Sequence, residues 1–187
     1  MNAAVSAPRR SINQVGVIGL GKVGELVAGL LTDAGFTAVD NVSFTAQPGR
    51  VTGFLGPNGA GKSTLLSMIT RLLDQDSGEV LLEGKNILQA PSDTLAKKIA
   101  ILKQSNHMDL KITVRELISF GRFPYSKGRL NERDHEIIDE AISYMELEEY
   151  EGRYIDELSG GQRQRVYIAM TIAQDTEYIF LDEPLNN

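Results

Sequence analysis

A glycine-rich segment between an apolar run and a helical pattern constrains the fold of this chain more than any other feature. The segment fits the phosphate-loop pattern G-x-x-x-x-G-K-[ST]. Its members are Gly56, Pro57, Asn58, Gly59, Ala60, Gly61, Lys62, Ser63 and Thr64. Val51–Leu55 ahead of it predicts a strand, and Leu65–Leu73 after it predicts a helix. Such a turn directs backbone N–H groups at phosphate oxygens, so the sequence predicts a nucleotide-phosphate site.

The phosphate-loop pattern assigns roles to two of its side chains. Lys62 is expected to reach the β- and γ-phosphates, and the Ser63 hydroxyl is expected to bind Mg²⁺. A second candidate follows the apolar run Tyr178–Leu181, which predicts a buried strand ending at Asp182 and Glu183. In phosphate-loop proteins a carboxylate in the position of Asp182 helps to hold Mg²⁺, and Glu183 would act as general base or orient the attacking water. The expected ligands are therefore ATP and Mg²⁺.

Composition sets wide limits on the function. The chain has 187 residues, which suits one well-buried domain or a domain plus a fragment, and a net charge of −6. No basic stripe appears, so nucleic acid is not an expected partner. The absence of cysteine excludes disulfides and thiolate metal sites. No run of 18 apolar residues occurs, so no membrane span is expected.

The amino-terminal part carries a different glycine pattern. Residues 1–11 resemble a flexible tail, and Ile12–Ile18 predicts a strand. A G-x-G-x-x-G motif follows, and an acidic residue comes about 20 positions later; these residues are Gly19, Gly21, Gly24 and Asp40. The stretch 12–40 resembles the opening βαβ unit of NAD(P)-binding Rossmann dehydrogenases. An NAD(P)-binding fragment therefore remains one alternative for the function.

Four further segments have clear local patterns. Ile99–Lys103 predicts a strand that ends at Gln104. Thr113 is expected to cap a helix through Phe120, with Glu116 completing a capping box. Glu132–Leu147 predicts a longer amphipathic helix with an acidic, solvated face. A last helix is predicted to run through Ala173 and to begin with an anion-binding turn formed by Ser159, Gly160, Gly161 and Gln162.

In this order, the phosphate loop, Gln104, Leu158–Gln162 and Asp182-Glu183 resemble an ABC-transporter ATP-binding subunit. Within that family, Gly121–Tyr125 resembles importers of iron–siderophore complexes. The resemblance implies an α/β fold: a three-layer parallel sheet of the phosphate-loop NTPase type with an inserted helical subdomain, here about 108–158. Residues 41–187 would form this ATP-binding domain, preceded by the Rossmann-like βα unit of residues 12–40.

The resemblance also implies roles and partners. Gln104 would sense Mg²⁺ and the attacking water and join Ser63 and Asp182 at the metal, while Glu183 would serve in hydrolysis. The Ser159–Gln162 turn would cover the γ-phosphate bound to a second copy of the chain. The family's subunits dock on a membrane permease, which implies a cytoplasmic location at the inner face of the membrane.

Three parts of the family pattern are not found in the sequence, one of them the amino-terminal antiparallel strand with its adenine-stacking aromatic residue, which the Rossmann-like segment replaces. The chain reaches Asn187 before the completed D-loop and before the strand that carries the family's switch histidine, so impaired hydrolysis is expected. In the family that strand lies between the phosphate-loop strand and the strand before Asp182. We expect the strand Ile12–Ile18 to fill this slot, because an open slot would leave backbone groups unpaired at about 1–3 kcal/mol each. A recombined or engineered chimera of the two folds, without physiological function, is the other alternative.

Overall fold

Four parallel strands form the sheet that carries the phosphate loop. The computed structural model describes residues 14–16 (backbone only), 39, 42–47, 49–103 and 111–182. The strands of this part of the chain are β1 (Gln14–Gly16), β2 (Val51–Thr52), β3 (Leu81–Leu82), β4 (Lys85–Asn86), β5 (Ile99–Leu102) and β6 (Tyr178–Leu181). The α-helices are α1 (Lys62–Ile69), α2 (Ser92–Ala96), α3 (Val114–Ser119), α4 (Phe123–Ser126), α5 (Glu132–Tyr144) and α6 (Gly160–Ala173).

The amino-terminal strand β1 lies in the middle of this sheet. The strand order is β2-β1-β6-β5, and all neighbours are parallel. Val15 pairs with Val51 of β2 on one side and with Ile179 of β6 on the other. The prediction that this strand fills the slot between the phosphate-loop strand and the Asp182 strand is therefore confirmed for Gln14–Gly16. The tail of residues 1–11, the glycine motif at 19–24 and the predicted helix after it lie outside the described residues.

The helix after the phosphate loop is shorter than the sequence predicts. The pattern predicted a helix to Leu73, but α1 ends at Ile69. Arg71 adopts a left-handed backbone with φ 58°, and its Nη1 donates to the carbonyls of Ile87 and Ala90 at 3.0 and 2.6 Å. This tertiary contact ends the helix, and it joins α1 to the segment before α2.

The strand before the loop is also shorter than predicted. Val51–Leu55 was expected to be extended, but β2 covers only Val51–Thr52. Phe54 is buried against Leu65, Leu66 and Ile69 of α1, whereas Leu55 is 80% exposed. The chain therefore leaves the sheet at Gly53 and packs one ring under the helix before it enters the loop.

Residues 81–86 form a hairpin. β3 and β4 pair antiparallel and are joined by Glu83 and Gly84, which have φ 54° and 74°. Positive φ at both central residues matches the type I′ turn, whose twist suits a two-residue hairpin. The hairpin forms a sheet of its own beside the parallel one.

The largest apolar cluster joins α3, α5 and α6 to the end of β5. The periodicity predicts five core side chains here: Ile137, Ile138, Ala141 and Ile142 are buried, and Met145 is partly buried against the cluster. Each fully buried isoleucine stabilises the fold by about 1.5–3 kcal/mol. The capping box of Thr113 and Glu116 is present as predicted. α5 ends at Tyr144, earlier than the predicted Leu147, although Leu147 remains buried in the cluster.

The acidic face predicted for this region is mostly exposed, with one exception. His135 lies on the exposed side. Asp134 does not: its side chain is buried and paired with an arginine. None of the described helices is long and apolar enough to cross a membrane.

Candidate functional site

The glycines of the phosphate loop adopt backbone angles that other residues rarely reach. Gly59 has φ 84°, and Gly61 has φ 79° as the N-cap of α1. A Cβ at Gly59 would meet no atom within 4 Å, so its positive φ, and not crowding, requires glycine there. Inside the loop the Ala60 N–H donates to the Pro57 carbonyl at 3.2 Å. The loop is thus a tight turn in which glycine occupies both left-handed positions.

The amino-terminal end of α1 adds positive potential to this turn. Lys62, Ser63 and Thr64 are the first residues of the helix, and the first N–H groups of a helix have no intrahelical partner. No acidic residue lies in the first turn to neutralise them. An anion placed here would be stabilised by these N–H groups and by the helix dipole.

The Lys62 side chain folds back along the loop. Its Nζ donates to the carbonyls of Gly56 and Pro57, each at 2.8 Å. These two bonds hold the ammonium group over the start of the loop and brace the loop's shape. The same group carries the positive charge that a phosphate would attract, so binding would exchange carbonyl partners for phosphate oxygens.

Ser63 and Asp182 meet although 119 positions separate them. The Ser63 Oγ donates to Asp182 Oδ1 at 2.9 Å. This contact joins the start of α1 to the end of β6, as predicted for two ligands of one metal. The donor set fits Mg²⁺, which takes oxygen ligands and uses one or two protein groups beside water and phosphate.

The second predicted anion site lies at the start of α6. Ser159 is the N-cap, and its Oγ accepts from the Gln162 N–H at 3.3 Å, while the Gln162 side chain accepts from the Ser159 N–H at 2.9 Å. A Cβ at Gly160 or Gly161 would meet nothing within 4 Å, so this end of the helix faces open space. The two hydrogen bonds join Ser159 to Gln162, and neither of them involves a residue of the phosphate loop.

Two predicted catalytic residues cannot be placed. Gln104 lies between Lys103 and Lys111, where the structure describes no residues, and Glu183 follows Asp182, the last described residue. Sequence reasoning also missed one buried group: the pair of Arg122 with Asp134 beside the carboxyl end of α6. The capping pattern Asn131-x-x-Asp134 was a visible signal for the helix start, but no local pattern indicates the arginine partner.

Comparison with known proteins gives a consistent result. The family model described as ABC transporter matches residues 39–186, starting where the sequence analysis places the end of the Rossmann-like segment. The petrobactin import ATP-binding protein YclP of Bacillus subtilis (strain 168) is 56% identical over 153 residues, which cover 82% of this chain and 61% of that protein. The iron(3+)-hydroxamate import ATP-binding protein FhuC of the same organism is 45% identical over 148 residues, covering 78% of this chain and 55% of that protein.

Solved structures agree with this result. A nucleotide-free ATP-binding cassette from an ABC transporter has a TM-score of 0.60 and 29% identity, covering 70% of this chain and 56% of that one. The chain thus spans little more than half the length of the relatives it matches.

Proposed function

Because this chain belongs to the ABC transporter family, we propose that it is the Mg²⁺–ATP-binding module of an importer of iron–siderophore complexes. The 2.9 Å hydrogen bond between Ser63 and Asp182 carries the proposal, because it brings the phosphate loop and the strand-end carboxylate to one place. The substrate class is supported by the names of the similar proteins, which import petrobactin and iron(3+)-hydroxamate.

Different groups at the loop would bind the phosphates and the Mg²⁺ of Mg²⁺–ATP. The N–H groups of the loop and of the first turn of α1 would receive the phosphate oxygens. Lys62 would leave the Gly56 and Pro57 carbonyls and pair with the β- and γ-phosphates. Ser63 and Asp182 would hold Mg²⁺, which supplies charge neutralisation to the phosphates when bound. Both the lysine and the metal ligands are already at the loop, so little reorganisation is required.

Hydrolysis and assembly would need further residues. We assign Glu183 as the general base and Gln104 as the residue that senses the metal and the attacking water. The Ser159–Gln162 turn, with its open helix end, would cover the γ-phosphate on a second copy of the chain, which gives a two-fold dimer. A membrane permease subunit would be the other partner, with the module on the cytoplasmic side.

We also infer a division of the chain into functional parts. Residues 41–187 form the ATP-binding domain, with a helical subdomain at about 108–158, and this is supported by the separate apolar clusters under α1 and around α5. Residues 12–40 would act as a structural part through β1, which is paired on both sides. This role differs from that of a dinucleotide-binding Rossmann unit.

Calorimetric titration with ATP and Mg²⁺ tests the proposal. The parent chain should bind ATP saturably, and Lys62→Ala should lower the affinity at least about tenfold, since one charge-assisted contact to phosphate is worth roughly 1.5–3 kcal/mol. Lys85→Ala, at the exposed start of β4, is the matched control and should bind as the parent does. Saturable binding of NADH with no binding of ATP would contradict the proposal and favour the dinucleotide alternative.

A further inference from the structure

Arg122 and Asp134 form a buried ion pair away from the phosphate loop. The Arg122 Nε donates to Asp134 Oδ1 at 2.9 Å, and the two side chains are 5% and 2% exposed. A buried ion pair seldom adds stability relative to apolar residues of the same volume, because desolvation offsets the attraction. Its geometry is therefore more informative than its energy.

The guanidinium group of Arg122 connects three parts of the helical region. Its Nη1 donates to the carbonyl of Ala173, the last residue of α6, at 2.9 Å. Its Nε reaches Asp134 in the first turn of α5, where Asp134 also forms a capping box with Asn131. The Arg122 Cζ atom lies 4.1 Å from the centre of the Tyr125 ring. A planar fork fixes the direction of both hydrogen bonds, so the position of the α5 start determines the position of the α6 end.

The turn that carries Arg122 lies directly against the backbone of α6. A Cβ at Gly121 would come within 2.3 Å of the Met170 carbonyl oxygen. The same end of α6 is fixed to the parallel sheet by Gln174, whose Nε2 donates to the carbonyls of Ala96 and Ile99 at 2.7 and 3.0 Å. The carboxyl end of α6 is therefore held between the sheet and the start of α5.

α6 transmits a movement at this end to its other end. The helix has 14 residues, which gives a length of about 21 Å at 1.5 Å per residue. A tilt of about 5° at the Ala173 end would displace the Ser159 end by roughly 2 Å over that length. Toward the far end, the Arg165 Nη1 donates to the Met145 carbonyl at 3.2 Å, and Val166 and Tyr167 are buried in the apolar cluster shared with α3 and α5.

We propose that Arg122 is a positioning residue: its two-point contact with Asp134 and Ala173 sets the tilt of α6 and thereby the place of Ser159, Gly160 and Gly161. The catalytic relevance of that place rests on the proposed function, in which these residues meet a nucleotide on a second copy. A displacement of about 1 Å in such a contact can reduce a rate by 10²-fold. The positioning itself does not depend on nucleotide and can be measured without it.

Distance measurement between two spin labels tests the inference on the full chain. The sequence has no cysteine, so Thr94→Cys on α2 and Asp156→Cys ahead of α6 provide two unique, exposed labelling sites. The labelled parent is compared with Arg122→Lys, which keeps the charge beside Asp134 but has no fork to reach Ala173 as well. The exposed Arg133→Lys on α5 is the matched control.

Arg122→Lys should unfold cooperatively while its distance distribution shifts or broadens by about 2 Å, the displacement expected for the far end of a tilted helix. The Arg133→Lys distribution should coincide with that of the parent. A role in charge compensation alone would be rescued by lysine, so a folded Arg122→Lys with the parent distribution would overturn the inference.

A second variant covers the case in which Arg122→Lys fails to fold. Arg122→Met combined with Asp134→Asn removes both charges together, and its distribution should shift in the same way. If neither variant folds, Arg122 serves stability and the positioning role is refuted. A parent chain that does not bind Mg²⁺–ATP would refute the proposed function and leave the distance result standing.

Discussion

Gly121→Ala should destabilise the protein by forcing apart two segments of backbone. The added Cβ would lie 2.3 Å from the Met170 carbonyl oxygen and 3.1 Å from the Gln174 nitrogen, where ordinary contact begins near 3.4 Å. The turn must therefore move by about 1 Å, and overpacking of this kind costs about 1–3 kcal/mol. Alanine also restricts the unfolded chain, which raises the free energy of unfolding by about 0.4–1 kcal/mol. The net loss is about 0–2.6 kcal/mol, and its centre near ~1.3 kcal/mol corresponds to a Tm lower by about 3–5 °C.

Thermal and urea unfolding of a matched pair of variants measures this cost. Gly152→Ala is the control, because a Cβ there would meet nothing within 4 Å and its φ is not in the left-handed region. The control should be as stable as the parent or slightly more stable. If Gly121→Ala unfolds at the same temperature and urea concentration as Gly152→Ala, the close approach of this turn to α6 is refuted.

Two further predictions concern Asp134 and β1. Burial alone would raise the pKa of Asp134, but the Asn131 N–H and Arg122 outweigh it and the pKa lies below the usual 3.8. The stabilising contribution of the Asp134 carboxylate is thus present above about pH 4 and lost on acidification. In urea melts, the difference in the free energy of unfolding between the parent and Asp134→Asn should therefore become smaller from pH 7 to pH 3. An equal difference at both pH values would contradict this. Val15→Pro should lower the free energy of unfolding by at least about 1–3 kcal/mol, because β1 has ladder neighbours on both sides and proline lacks the N–H. Val15→Ile keeps the N–H and should be close to the parent; a Val15→Pro variant as stable as Val15→Ile would place β1 outside the sheet.

The parts of the structure that the sequence predicts well are those decided by nearby residues. The loop glycines and the capping box of Thr113 each depend on contacts over three or four positions. The place of β1 was also predictable, because an empty slot in a buried parallel sheet requires an apolar strand, and the sequence offers one there. In each of these cases the signal and the structure involve the same few residues.

The parts that the sequence does not predict depend on distant partners. The helical pattern continues to Leu73, but Arg71 leaves the helix to bond with carbonyls 16 and 19 positions away. Asp134 belongs to an acidic stretch that composition assigns to solvent, and only its contact with Arg122 in the folded chain accounts for its burial. Pairing of Ser63 with Asp182 was expected from their roles and could not be derived from spacing over 119 positions.

The dependence of ATP affinity on Mg²⁺ tests the central claim most directly. If Ser63 and Asp182 form one metal site at the phosphate loop, Mg²⁺ should raise the affinity of the parent for ATP. In Asp182→Asn this gain should disappear, while the metal-free affinity, which depends on the loop and Lys62, should remain. Calorimetric titrations of both proteins, with Mg²⁺ and with EDTA, provide the four values. An equal gain from Mg²⁺ in the parent and in Asp182→Asn would contradict the account.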